Sequence, residues 1–172
     1  GKSKIYDRIC YGYSHDGNGK LIINEFEAAI VKLIFEMYLD GCSLSGISKQ
    51  LEGAKIKSPT GKDKWSNETI SKLLSNEKLT GDVIGQKTYV KNFLDGKQVK
   101  NTGQQAKYLV SNHHEPIITK SMFNKVQQEK KSRSNVSTFK NKTVRKKNRY
   151  SNDLLSGKIF CGICGAPYTG NK

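Results

Sequence analysis

The 172 residues carry thirty Lys and Arg against fifteen Asp and Glu, a formal charge of +15 with a pI near 9.7. That excess repels itself unless a polyanion neutralises it, which points to double-stranded DNA or another nucleic acid as partner. No apolar run approaches the length of a spanning helix, no basic amphipathic helix with a Trp/Phe/Leu face appears, and the opening GKSKIYDRIC has charge without the apolar stretch of a signal peptide, so a membrane partner is excluded and a cytoplasmic chain expected.

The length suits one domain with a small appended module. INEFEAAIVKLIFEMYLDG reads as a helix with both ends marked: Asn24 caps it, Glu27 completes a capping-box pattern, and Gly41 suits the left-handed position after its end. Ala28, Val31, Phe35 and Tyr38 form one apolar stripe, widened by Ile30 and Ile34. SLSGISKQL gives a short second helix behind the Ser43 cap, with Leu44, Ile47 and Leu51 on one face. A polar loop, EGAKIKSPTGKDK, follows. KWSNETISKLLSN then starts a third helix, capped by Ser66 and stapled by Trp65 to Ile70, with Ile70, Leu73 and Leu74 inward and Asn76 closing it in the left-handed conformation.

After the third helix the hydrophobic period changes. GDVIGQKTYV and AKYLVSN have strand character, and Asp95-Gly96 between them is a turn signal, so a basic hairpin or small sheet is expected. HEPIITKSMFNKVQQEK restarts a helix, capped at Thr119, with Ile118 stapled to Phe123. Residues 131–152 hold eight Lys or Arg and no carboxylate, with little to bury, and read as a basic linker. LLSGKIFCGICGAPYTG begins a strand, knuckle and strand. The expected architecture is α+β: a winged helix-turn-helix-like domain over 1–130, the linker over 131–152, and the first half of a zinc ribbon over 153–172.

The adjacent His113 and His114 lack a triad spacing, and no Gly-rich phosphate loop is present, so the chain reads as a binder and not an enzyme. Cys10 and Cys42 read as ordinary small semi-apolar residues. Cys161 and Cys164, in a Cys-x-x-Cys-Gly turn, have the spacing of two zinc thiolates, half of a closed site. Three helices followed by a hairpin are the layout in which a third helix enters the major groove and a basic wing follows the backbone. On that reading Ser66, Asn67, Ser71, Lys72 and Ser75 face the major groove, Lys62, Lys64, Lys87 and Lys91 meet phosphates, and Arg145, Lys146, Lys147 and Arg149 follow the minor groove.

The order of four motifs, YGYSHDGNGKLIINEFEAAIVKLIFEMYLDGCSLSGISKQLE, KWSNETISKLLSNEKLTGDVI, HHEPIITKSMFNKVQ and LLSGKIFCGICG, resembles the large serine recombinases, the integrases and transposases of phages and mobile elements. The resemblance covers nearly everything from Tyr11 onward. It implies a recombinase domain and the start of a zinc ribbon, both DNA-binding, cut from a longer protein. The catalytic serine domain would precede these residues, and the second cysteine pair, with which zinc is fully bound, would follow. It further implies recognition of attachment-site half-sites for integration or excision, through a phosphoserine intermediate formed elsewhere, and self-association through the missing domains. This sequence departs from the family pattern at Cys10, where Pro is usual, at Glu52 (Asn), at Lys55 (Gly) and at Leu79 (Tyr). The alternatives from other classes are a transcription factor or RNA-binding module with a zinc knuckle, and a structural interaction domain that would leave the charge unexplained.

Overall fold

In the computed structural model the described residues are 7–92, 94–134, 136–139 and 142–145. They belong to two compact units, Gly1–Glu129 and Lys130–Lys172.

The first unit opens with a hairpin, β1 (Tyr13–His15) against β2 (Leu21–Ile23), in register Tyr13 to Ile23. Its turn is tied by Asp16, whose Oδ1 accepts from the amides of Asn18 and Lys20. Helix α1 (Glu25–Leu39) follows, and its buried side chains are the stripe expected from the 3.6-residue period, with Met37 added. Asn24 caps it by accepting from the Glu27 amide. The expected capping box is only half made. Glu27 turns away from the Asn24 amide and accepts from Gly12 N–H at 2.8 Å, while the Asn24 amide donates to the Gly12 carbonyl, so α1 is clasped to the hairpin before it. At the other end Gly41 takes φ +98, and the Cys42 and Gly41 amides close on the carbonyls of Met37 and Tyr38 in a Schellman arrangement.

Helix α2 (Leu44–Gly53) begins at its Ser43 cap and ends in the same arrangement, but with Lys55 in the left-handed position at φ +56. The loop 54–66 leads to α3 (Asn67–Leu73), capped by Ser66. Trp65 anchors this junction: its side chain is 1% exposed, its Nε1 donates to the Ile56 carbonyl, its own carbonyl accepts from Ser48 Oγ of α2 at 2.6 Å, and Tyr11 meets it edge-on. Ile70, Leu73 and Leu74 are buried as expected.

Asn76 departs from its expected role. Its backbone is extended at φ −87, and its side chain caps a 3-10 turn (Glu77–Thr80) by accepting from the Lys78 amide. The left-handed residue is Gly81, at φ +81, where an added Cβ would lie 2.6 Å from the His114 carbonyl oxygen. An N-capping Asn needs the extended conformation, and a close backbone crossing needs glycine, so the two roles separate.

The expected hairpin forms in two steps. Strand β3 (Val83–Gly85) pairs antiparallel with β6 (Tyr108–Val110), and β4 (Thr88–Val90) with β5 (Gln98–Lys100). Between the two pairs Gln86 takes φ +56, and the fully buried Asn101 bonds the carbonyls of Gln86 and Gln105 and the amides of Gly103 and Gln105. One side chain thereby replaces the interrupted ladder. Helix α4 (Lys120–Ser132) starts at Thr119, whose hydroxyl accepts from the Met122 amide; Val126 is buried, Phe123 stacks on Phe35 at 6.5 Å, and Gln127 donates to the Leu74 carbonyl.

In the second unit, inside the stretch read as a basic linker, β7 (Val136–Phe139) and β8 (Lys142–Arg145) pair antiparallel, with Val136 opposite Arg145 and Phe139 opposite Lys142. Charge dominates the composition there, yet each strand also carries β-branched Val and Thr. The knuckle with Cys161 and Cys164 lies outside the described residues. No helix among the described residues is long and apolar enough to cross a membrane.

Candidate nucleic-acid interface

A groove of about 320 Å³ opens between the outer face of α3, the 3-10 turn and β4; Thr69, Lys72, Ser75, Asn76, Glu77 and Lys87 line it. Its position follows from the core. Ile70, Leu73 and Leu74 fix one side of α3 inward, and helical spacing then sends Thr69, Lys72 and Ser75 outward. Lys87 reaches the groove because the left-handed Gln86 turns the chain between β3 and β4.

Three residues expected to touch DNA, Lys72, Ser75 and Lys87, therefore share one groove. Others are engaged differently. Ser66 Oγ accepts from the Thr69 amide and lies 2.8 Å from Thr69 Oγ1, while Asn67 Nδ2 donates to Ser45 Oγ of α2 at 2.9 Å. Ser71 is half-buried, and its carbonyl accepts from Ser75 Oγ. Lys62 and Lys64 are exposed in the loop before α3, and Lys91 is exposed just beyond β4. Arg145 ends β8, whereas Lys146, Lys147, Arg149, Cys161 and Cys164 lie outside the described residues.

The groove's charges are paired. Lys72 meets Glu68 at 2.7 Å, one turn before it, and this contact holds the Glu68 carboxyl below its usual range. Lys87 bridges to Glu77 Oε1, and that same oxygen also accepts from the Ile84 amide at 3.4 Å. The Glu77 side chain is only 15% exposed. In contrast, Lys62, Lys64, Lys91, Lys97, Lys100 and Lys107 are exposed and have no carboxylate partner among the described residues.

Sequence reasoning missed Thr69, Asn76 and Glu77. Position 69 shares a helical face with 72 and 76, so its signal was available in the period; Glu77 lies beyond the helix, and no local pattern predicts its inward turn.

The histidine pair is structural. His114 Nε2 donates to the Lys78 carbonyl at 2.7 Å, its ring meets Tyr13 edge-on at 4.7 Å, and its Nδ1 lies 3.2 Å from His113 Nδ1. Tyr13 OH donates to the Glu115 carbonyl at 2.8 Å. Burial holds the His114 pKa below its ordinary value and pushes those of Tyr13 and, to about 12, Tyr11 up. Cys10 is half-buried against the core, and burial raises its pKa too. No group of three or more His, Cys, Asp or Glu among the described residues could hold a metal ion.

Residues 25–133 match the model of the Recombinase family, more than half of the chain. The chain belongs to the Recombinase family. Two solved structures share its fold. One is a crystal structure of an LSR–DNA complex, with TM-score 0.57 and 23% identity over 93% of this chain and 40% of that one. The other comes from a study of the sequence requirements of the Listeria innocua prophage attP site, with TM-score 0.55 and 24% identity over 91% of this chain and 53% of that one. This recombinase chain thus spans 40% and 53% of the lengths of the structures it matches.

Proposed function

We propose that this recombinase chain is the DNA-binding part of a site-specific serine recombinase, recognising attachment-site DNA for the integration or excision of a mobile element. The observation that carries the reading is the groove, in which the outer face of α3 and the lysine-bearing hairpin come together on a buried apolar core. Family membership and the DNA and attP subjects of the two similar structures support it. On this reading α1, α2, α3 and the stepped hairpin work as a winged helix-turn-helix, although the loop 54–66 is longer than the turn of about 3–4 residues in the simple motif. Lys72 and Ser75 approach base edges in the major groove. Ser66 and Asn67 hold the start of α3, and Ser71 supports Ser75 from within. Lys62, Lys64 and Lys91 hold phosphates, and Arg145, Lys146, Lys147 and Arg149 follow the minor groove.

The domain limits 1–130, 131–152 and 153–172 belong to the same proposal. So does zinc: Cys161 and Cys164 would supply two of four thiolates, and the ion would fix the knuckle, with the other ligands outside this sequence. The nucleophilic serine and the self-association surfaces are likewise assigned to the longer protein, and this chain is given no catalytic step.

Fluorescence anisotropy across a salt series tests the reading, with the element's attachment-site duplex set against a scrambled one. The expected preference is about tenfold or more, about 1.4 kcal/mol, and it persists as salt rises. Lys91→Ala should weaken both duplexes alike and lower the salt slope by about one. Equal affinities that vanish together with salt would leave only phosphate binding and overturn the reading.

A further inference from the structure

The groove is an unusual place to seat a phosphate. Each of its two lysines already faces a carboxylate, Lys72 that of Glu68 and Lys87 that of Glu77. A phosphate entering there would have to share each ammonium with a carboxylate and would lie beside an anion. Glu77 is the less yielding of the two acids, since its side chain is 15% exposed against 77% for Glu68, and the Ile84 amide also fixes it. Both of its side-chain contacts among the described residues fall on Oε1. Glu77 also lines the groove beside the outer face of α3, and Oε2 is the carboxylate oxygen those contacts leave.

A carboxylate oxygen accepts from an exocyclic amino group and repels a phosphate. In the major groove of DNA such amino groups are cytosine N4 and adenine N6, and an acidic side chain accepting from cytosine N4 is an established pairing type. Resting on the DNA-binding reading above, we infer that Glu77 is a specificity-determining residue: through Oε2 it accepts an exocyclic amino group of a base, and its charge excludes phosphate from the groove. The phosphates are then held by the exposed lysines with no acidic partner, Lys62, Lys64, Lys91, Lys97, Lys100 and Lys107. Glu77 thus serves both attraction to the right base edge and repulsion of a wrong register, and discrimination needs both.

The test selects from a randomised duplex library with the whole chain, the Glu77→Gln variant and the Glu68→Gln variant, and titrates each with a scrambled duplex. Glu77→Gln keeps the side-chain shape and an oxygen for the Ile84 amide, and thermal unfolding checks that the fold is kept. Wild type should enrich a motif with cytosine or adenine strongly preferred at one position. Glu77→Gln should keep the rest of that motif, lose about tenfold of the preference at that one position, and bind scrambled DNA several-fold tighter. Glu68→Gln should tighten scrambled binding with the motif unchanged, because its carboxylate stands at the helix surface, outside the groove lining. Which base is lost distinguishes cytosine from adenine. A Glu77→Gln motif identical to wild type at every position would overturn the inference while leaving the DNA-binding reading intact. Wild type that enriches no motif would overturn both.

Discussion

Lys55 shows what one side chain costs. It occupies the left-handed position after α2 at φ +56, where its Cβ is strained and where glycine would not be. Lys55→Gly is expected to stabilise the first unit by about 1 kcal/mol and to raise its unfolding midpoint by about 2–4 °C; an unchanged or lower midpoint would show that the Lys55 side chain offsets the strain. Gly81 is the converse. There the left-handed φ and the His114 carbonyl 2.6 Å from a would-be Cβ act together, so Gly81→Ala should cost more than the backbone term of about 1–2 kcal/mol alone. His114 adds a pH dependence whose sign is fixed. A neutral ring that donates Nε2–H to the Lys78 carbonyl presents the Nδ1 lone pair to His113 Nδ1, and protonation would set two N–H groups against each other. Tyr13, Lys78 and Asp82 are its other neighbours. Burial lowers its folded pKa, so its contribution is complete above about pH 6.5 and is lost as the pH falls from there through the lowered value. Asp82, held low by its hydrogen bond with Lys120, responds only below about pH 3.8. The urea midpoint should therefore fall between pH 7.5 and 5, and His114→Gln should flatten that fall; a wild-type midpoint constant over the range would contradict the argument.

At the scale of elements, the three N-terminal helices were legible because each carries its instructions locally. The stripe of α1, the Ser43 and Ser66 caps and the Gly41 stop are all short-range signals, and all act as expected. Long-range bonds were not legible. Glu27 abandons its capping box for Gly12, and Trp65, expected to fix how the chain enters α3, also ties that helix to Ser48 of α2. The β1–β2 hairpin went unread although its DGNG turn is a hairpin signal, because the strands are only three residues each and alternate weakly. The step in the second hairpin depends on Asn101, a polar residue that composition assigns to the surface and that the structure buries completely. Of the candidate site, the α3 positions could be read from helical spacing, whereas the meeting of Lys87 with α3 could not, since it depends on the left-handed Gln86. Trp65→Ala is expected to cost about 3–5 kcal/mol, because it leaves a cavity and an unpaired Ile56 carbonyl at the α2–α3 junction. A loss under about 1 kcal/mol, read from chemical denaturation, would show that the junction holds without it.

For the molecule as a whole, the proposed function divides the binding between the formal charge of +15 and the paired lysines of the groove. On that proposal the lysines without acidic partners among the described residues would supply long-range attraction, and the groove, where each lysine meets a carboxylate, would discriminate. Hydrogen exchange of the whole chain with and without an attachment-site duplex reads which face of the first unit the DNA covers. Slowed exchange is expected at the amides of residues 66–76 and 86–100, and none over the outer face of α1, where Phe26 and Leu33 are exposed. Slowed exchange centred on that α1 face, with residues 66–76 unchanged, would contradict that placement of the DNA.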